Sequence, residues 1–220
     1  MKNRALVFLN TEGITDEWMN FEIRKANWFI DALMIWGWKR GNITFLSEPH
    51  DLNTHAVDGE PTRSSFVNAM NLLGVADDTE YAAVYLCNCM PCWKQEDAGG
   101  NLLDNVLHFK GGDEMEPQEL RNLISDVQRE NGQDHLTVVF CGQGGDRMAS
   151  EVSSNQYVTM ASHDTRFHEG QTKVAMKKDA FNIGGKMPMV QDNEFIQAFM
   201  EERNRVMEPP YEQYPVLMLE

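Results

Sequence analysis

The sequence predicts an α/β protein with helices on both faces of a mostly parallel sheet, a three-layer α/β/α sandwich of about six strands. Short, continuous apolar runs alternate with segments whose apolar residues recur every three or four positions. The runs are typical of strands buried on both faces, and the periodic segments are typical of amphipathic helices. Strands that alternate with helices indicate a doubly wound sheet. With neither an internal repeat nor a linker, we expect residues 1–220 to form one domain.

The chain opens with a predicted strand, helix and strand. Residues 4–10 form an apolar run, and residues 42–47 form the next one. Between them, residues 15–36 have helical periodicity, and Gly37 or Gly41 is the predicted stop. The predicted buried stripe of this helix comprises Ala26, Phe29, Leu33 and Trp36.

The remaining elements follow from the same two patterns. Helices are predicted to begin at residues 61–65, with an apolar stripe ended by Gly74, and at Pro117, which suits a first helical position. A further helix is predicted over residues 192–203. The third to last strands are predicted at residues 81–86, 136–140, 157–161 and 216–219. Residues 99–112 are expected to form an irregular or small β excursion, and residues 170–192 a loop.

Charge and cysteine content exclude several classes of function. The chain has 34 acidic and 19 basic residues, a net charge of −15 and a pI near 4.7, so it repels phosphate backbones and nucleic acid is not an expected partner. No apolar run approaches the roughly 18–20 residues that span a membrane, and residues 5–9 are too short for a secretory signal. Four cysteines do not make a disulfide scaffold. We therefore expect a cytoplasmic protein without a membrane partner or a cofactor.

The cysteines all follow two of the predicted strands. Residues 87–92 (Cys-Asn-Cys-Met-Pro-Cys) come after the third strand, and residues 141–145 (Cys-Gly-Gln-Gly-Gly) come after the fourth. Functional crevices of open parallel sheets lie beyond the carboxyl ends of strands. If these two strands are neighbours, about 4.8 Å apart, the four sulfurs lie at one end of the sheet.

Several short segments, taken in order, resemble one known family. The segments are residues 5–8, Pro61-Thr62-Arg63 before a helix, Asp78 ahead of residues 82–86, residues 136–140, residues 161–164 with Glu169, and residues 213–216. Their order is similar to that of the caspase-haemoglobinase fold (clan CD), which caspases, metacaspases, legumains and gingipains share. The resemblance covers nearly the whole chain and implies that the last strand is antiparallel.

The resemblance also implies where a catalytic dyad would stand. The family's histidine, at the end of the third strand, is matched here by Cys89, or by Asn88 if the register slips by one. Its nucleophilic cysteine, after the fourth strand, is matched by Gln143 or Gly142, and Cys141 falls one or two residues early. Cysteine-peptidase chemistry needs a thiolate, a base and an oxyanion hole, and these residues supply neither the base nor the thiolate. The resemblance therefore predicts a catalytically degenerate pseudo-peptidase.

Such a protein would bind or regulate a protein or peptide partner, for example an active paralogue. The implied groove residues are Cys87, Cys141, Ser162, Asp164 and Glu169. An active cysteine endopeptidase remains the alternative, with Cys141 or Cys89 as a displaced nucleophile and a histidine from another loop. A monomer and a homodimer are both compatible with the sequence.

The four thiols leave other interpretations open. They are compatible with small buried hydrophobic side chains, with a redox-reactive or disulfide pair, or with a thiolate metal site. Four sulfurs can hold Zn²⁺ at about 2.3 Å, although the spacing of Cys87, Cys89, Cys92 and Cys141 is not a standard zinc motif.

Other polar clusters favour ordinary structural roles. His50-Asp51 with His55, and His163-Asp164 with His168-Glu169, lie in polar loops and are expected to be solvated surface rather than metal ligands. Residues 142–145 lack the spacing of phosphate-binding loops and are expected to form a tight turn.

Overall fold

A computed structural model describes residues 2–13, 16–35, 37–75, 79–87, 106–131, 136–141, 145–153, 158–161, 200–201, 204 and 216–218. These residues alternate between strands and helices as the apolar pattern predicts. In chain order the elements are β1 (Lys2–Leu9), α1 (Asp16–Ile35), a 3₁₀ turn (Arg40–Asn42), β2 (Ile43–Leu46), α2 (Arg63–Val75), β3 (Thr79–Cys87), β4 (Leu107–His108), β5 (Glu114–Met115), α3 (Pro117–Asn131), β6 (Leu136–Cys141), α4 (Gly145–Val152), β7 (Val158–Ala161) and β8 (Val216–Met218).

Six of the described strands form one sheet in the order β2-β1-β3-β6-β7-β8. The first five are parallel to their neighbours, and β8 pairs antiparallel with β7. The predicted fold class is confirmed, including about six mostly parallel strands and an antiparallel last strand. The third and fourth predicted strands, β3 and β6, are neighbours, so their carboxyl ends meet at one edge of the sheet.

The sheet separates two hydrophobic layers because its central strands are buried on both faces. On β1, Leu6 and Phe8 point to the layer that contains α2, α3 and α4, whereas Ala5 and Val7 point to the layer that contains α1. In the first layer Phe8 packs edge-on against Phe66 of α2, with ring centroids 5.2 Å apart. Among the described helices, α1 is the one that covers the opposite face of the central strands.

Helix α1 ends where the glycine pattern predicts. Gly37 has φ +89°, a conformation that glycine adopts without a Cβ penalty. The Trp38 N–H bonds the Leu33 carbonyl, and the Gly37 N–H bonds the Met34 carbonyl, which is the Schellman pattern. The buried stripe differs from the predicted one, since Phe29 is only partly buried and Trp36 lies outside the described residues. The stripe comprises Ile23, Ala26, Ile30 and Leu33.

Helix α2 begins at the predicted Pro-Thr pair. The Thr62 hydroxyl accepts a bond from the Ser65 N–H at 3.2 Å, and its carbonyl accepts one from the Phe66 N–H. Thr62 is thus the N-cap, and it satisfies a backbone donor that the first helical turn leaves free.

Two regions differ from their predictions in detail. The expected β excursion is a hairpin of β4 and β5, turned at Gly111 and Gly112, both of which have positive φ. Helix α4 was not predicted, because its eight residues, with Met148 and Val152 on one side, are too few for a helical period to be recognised. The predicted helix over residues 192–203 lies almost wholly outside the described residues.

Within the described residues, no helix combines the length and apolar character needed to cross a membrane.

Candidate functional site

Two cysteines meet where β3 and β6 end. Cys87 is the last residue of β3, Cys141 is the last residue of β6, and their Cα atoms are register partners. Both side chains lie on the α1 face of the sheet and are buried, with 0% and 3% of their surface exposed. The predicted convergence of thiols at this edge is confirmed for these two residues.

Helix α1 places a carboxylate and an ammonium against these thiols. The Cys87 Sγ donates a hydrogen bond to Glu22 Oε2 at 2.8 Å, and Lys25 Nζ lies 2.7 Å from the other carboxylate oxygen of Glu22. Glu22 and Lys25 are three residues apart, so they share a side of the helix. Glu22 itself is buried, and Lys25 is 18% exposed at its side chain.

The sulfur of Cys141 has three side-chain hydrogen-bond partners in the cluster, Cys87, Tyr85 and Lys25. The single S–H proton of Cys87 is shared between this contact and the one to Glu22 Oε2. Tyr85 precedes Cys87 by two residues on β3, and its ring stacks on Phe29 of α1 with centroids 4.2 Å apart and planes 21° apart. We call Glu22, Lys25, Tyr85, Cys87 and Cys141 the thiol cluster.

Burial and neighbouring charges give the two thiols opposite acidities. Burial raises the pKa of Cys87 well above its usual value, and its bond to Cys141 and the charge of Glu22 add to that effect. The hydrogen bond with Cys87 is the largest cause of a pKa of Cys141 well below its usual value. Burial opposes this effect, and the charge of Lys25 and the hydrogen bonds with Tyr85 and Lys25 add to the lowering. The geometry therefore favours a thiol at Cys87 and a thiolate at Cys141.

The other ionisable groups respond to the same environment. Burial raises the pKa of Glu22, although Lys25 and the Cys87 thiol partly offset the rise. Burial alone would lower the pKa of Lys25, but the charges of Cys141 and Glu22 outweigh it and the pKa is raised. Burial also raises the pKa of Tyr85, so this hydroxyl stays protonated and acts as a hydrogen-bond donor.

The predicted site residues divide into those that the structure describes and those that it does not. Cys87 and Cys141, which were predicted for the groove and for a thiolate site, are brought together. The remaining predicted residues lie outside the described ranges: Asn88, Cys89, Cys92, Gly142, Gln143, Ser162, His163, Asp164, His168 and Glu169.

Sequence reasoning missed the contribution of α1 to this site. Glu22 and Lys25 were not candidates, because acidic and basic residues on a helix usually face solvent. One indication was available, since Glu22 lies four residues before Ala26 and so continues the predicted apolar stripe backwards. A charged residue inside a buried stripe is where a partner should be sought.

The first predicted histidine cluster has a structural role in the described loop. The His50 Nδ1 accepts a hydrogen bond from the Leu52 N–H at 3.1 Å, as in a local turn. The His55 Nε2 lies 2.9 Å from Asp31 Oδ1 on α1, and only 14% of the His55 side chain is exposed. In the described part of the chain, three or more metal-ligating side chains converge only at Glu22, Cys87 and Cys141.

A second polar group lies beyond the ends of β1 and β2, at the surface. Lys110 Nζ is 2.7 Å from Glu60 Oε1 and 3.5 Å from Glu48 Oε1. Glu48 also accepts a hydrogen bond from the Thr11 hydroxyl, and Glu12 accepts one from the Gly111 N–H. We call Glu48, Glu60 and Lys110 the Lys110 network.

Neither a scan against models of protein families nor a search of curated proteins finds a match for this chain.

Proposed function

We propose that this protein is a caspase-like pseudo-peptidase that acts by binding a protein or peptide partner. The sheet supports the proposal, because its strands follow the predicted number, direction and antiparallel last pairing. The two predicted dyad positions also agree with each other. Cys89 lies two residues beyond Cys87, and Gln143 lies two residues beyond Cys141, so both fall at equal distances from a paired position.

The observation that carries the non-catalytic part is the environment of Cys141. This sulfur is 3% exposed and is bonded to the ammonium of Lys25, whose raised pKa keeps it protonated. A nucleophile must reach the substrate carbonyl, and its base must be able to accept a proton. Cys141 is buried and its partner Lys25 is already protonated, so we assign Cys141 no role as a nucleophile.

One observation favours the alternative of an active peptidase. The lowered pKa of Cys141 favours the thiolate, the form that attacks carbonyl carbon. Its burial counts against it, and Tyr85, Cys87 and Lys25 already use its hydrogen-bonding capacity. We therefore keep the peptidase as the second candidate.

Peptide cleavage distinguishes the two candidates. We expect the reduced protein to leave a fully mixed peptide library intact, because the predicted dyad positions hold Cys89 or Asn88 in place of the imidazole and Gln143 or Gly142 in place of the thiol. Mass spectrometry of the library after incubation is the measurement. Cleavage that Cys141→Ala or Cys89→Ala abolishes, and that Cys92→Ala leaves unchanged, would establish the displaced-thiol peptidase instead.

A further inference from the structure

We propose that Glu22, Cys87 and Cys141 form a binding site for a thiophilic divalent cation, of which Zn²⁺ is the representative. The site does not depend on the pseudo-peptidase assignment. It is built from two strands and a helix, and it uses a carboxylate that the predicted four-cysteine site did not include.

The distances suit a shared ion. One carboxylate oxygen of Glu22 and the sulfurs of Cys87 and Cys141 all lie within 4.8 Å of one another. In a tetrahedral Zn²⁺ site two sulfurs, each about 2.3 Å from the ion, are about 3.8 Å apart. Small side-chain shifts therefore bring the three donor atoms to bonding distance.

The positions of the ligands are fixed by the fold. Cys87 and Cys141 are register partners on neighbouring strands, and the Glu22 backbone carbonyl also lies 3.7 Å from the Cys87 sulfur. Helix α1 is thus seated directly over the two strand ends. Because two strands and a helix already hold the three ligand residues in place, these residues lose little conformational freedom when the ion binds.

The charges also suit a divalent ion. Two thiolates and a carboxylate carry three negative charges, and the Lys25 ammonium, which contacts Glu22 Oε1, supplies one positive charge. The fully ionised cluster has a net charge of −2, which one divalent cation neutralises in a buried site. Cys87 contacts the other oxygen, Oε2, so an ion there would take the place of the Cys87 proton. Cys141 also has hydrogen bonds with Lys25 and Tyr85, and the ion would bind through a remaining lone pair of its thiolate.

The donor set selects the class of ion. Two soft thiolates with one carboxylate suit Zn²⁺, Cd²⁺ or Co²⁺ and do not suit Mg²⁺ or Ca²⁺, which prefer oxygen. Three protein ligands leave a fourth tetrahedral position for water. Because thiol ligands must lose their protons, metal binding releases protons and weakens as the pH falls.

The test is metal titration of the full chain, kept reduced and first stripped of metal with a chelator. Zn²⁺ or Co²⁺ is added to the folded protein and, separately, during refolding, so that slow entry into a buried site cannot hide binding. We expect one ion per chain, a rise in the unfolding temperature, and a sulfur-to-metal charge-transfer band with Co²⁺. No band and no bound ion under either protocol would overturn the proposal.

Variants identify the ligands. Cys87→Ser, Cys141→Ser and Glu22→Gln should each weaken Zn²⁺ binding by more than the roughly 10- to 100-fold loss that follows when a residue only orients a ligand. Glu119→Gln, at an exposed carboxylate, and Cys92→Ser are the controls and should bind as the parent protein does. Circular dichroism checks that each variant folds, and the Co²⁺ band of the parent protein is read independently of any variant. Binding that survives Glu22→Gln but is lost in Cys89→Ser and Cys92→Ser would replace this site by the four-cysteine site.

Discussion

The thiol cluster and the Lys110 network use similar charges in opposite surroundings. Both contain a lysine bonded to an acidic partner, at 2.7 Å in each case. In the thiol cluster the carboxylate side chain is 4% exposed, whereas the Glu60 side chain in the Lys110 network is 58% exposed. The same contact distance therefore describes two different interactions.

Solvent explains the difference. Water screens the exposed pair, so its charges gain little from each other. The bond to Glu60 raises the pKa of Lys110, but no buried group depends on that bond. In the thiol cluster, by contrast, each charge lacks water and must be compensated by its neighbours. The comparison indicates that burial, and not contact distance, decides how much each lysine contributes to the free energy of unfolding.

Of the changes considered for the two clusters, Lys25→Met should lower the free energy of unfolding the most. The change leaves the Glu22 carboxyl and the Cys141 sulfur without their ammonium partner inside the protein. We expect a loss of about 3–5 kcal/mol in the free energy of unfolding, as for other broken buried pairs. Urea unfolding of reduced, metal-free protein measures it.

The matched control is Arg24→Met, one position earlier on α1, where the side chain is exposed. This change should stay within about 0.5 kcal/mol of the parent protein. Equal effects of the two substitutions would contradict the compensating role of Lys25.

The pH dependence of stability should be a smaller effect that also belongs to the thiol cluster. The folded pKa of Cys141 is lowered from its usual 9.0, so the unfolded chain binds one more proton between the two values. Stability should therefore rise with pH in that window, by at most about 1.4 kcal/mol per pH unit, and be lost as the pH falls through the folded pKa.

The contribution of Glu22 to the pH dependence of stability has the opposite sign. Its pKa is raised from 4.5 in the folded protein, so the stability that it contributes is lost as the pH rises through the folded pKa. Subtracting the profile of Cys141→Ser from that of the metal-free parent protein gives the contribution of the thiolate together with its effect on the pKa values of Glu22 and Cys87. A difference profile that is flat up to the usual cysteine pKa would mean that Cys141 is an ordinary thiol.

The sequence predicts the sheet better than it predicts the site. Continuous apolar runs define β1, β3 and β6, since strands buried on both faces are apolar at nearly every central position. A glycine at the end of a periodic segment likewise locates the end of α1 at Gly37. These features are local, so neighbouring residues are sufficient to reveal them.

The site depends on relations that are not local. That Cys87 faces Cys141 follows from the pairing of β3 with β6, which lie about fifty residues apart in the chain and whose order no local pattern gives. The contribution of Glu22 follows from how α1 crosses that edge. A charged residue in an apolar stripe indicates that a partner is needed, but it does not say that the partner is a thiol 65 residues away.

Substitution in the Lys110 network should have the smallest effect on stability. Lys110→Met removes the contacts to Glu60 and Glu48, but water solvates both carboxylates once the ammonium is gone. We therefore expect no resolvable shift of the urea midpoint at physiological salt and only a slight loss at low salt, where screening is weaker. Lys110→Arg, which keeps the charge, is the control at both salt concentrations. A loss as large as that of Lys25→Met would show that the surface network, despite its exposure, holds the β4–β5 hairpin against the loops that follow β1 and β2.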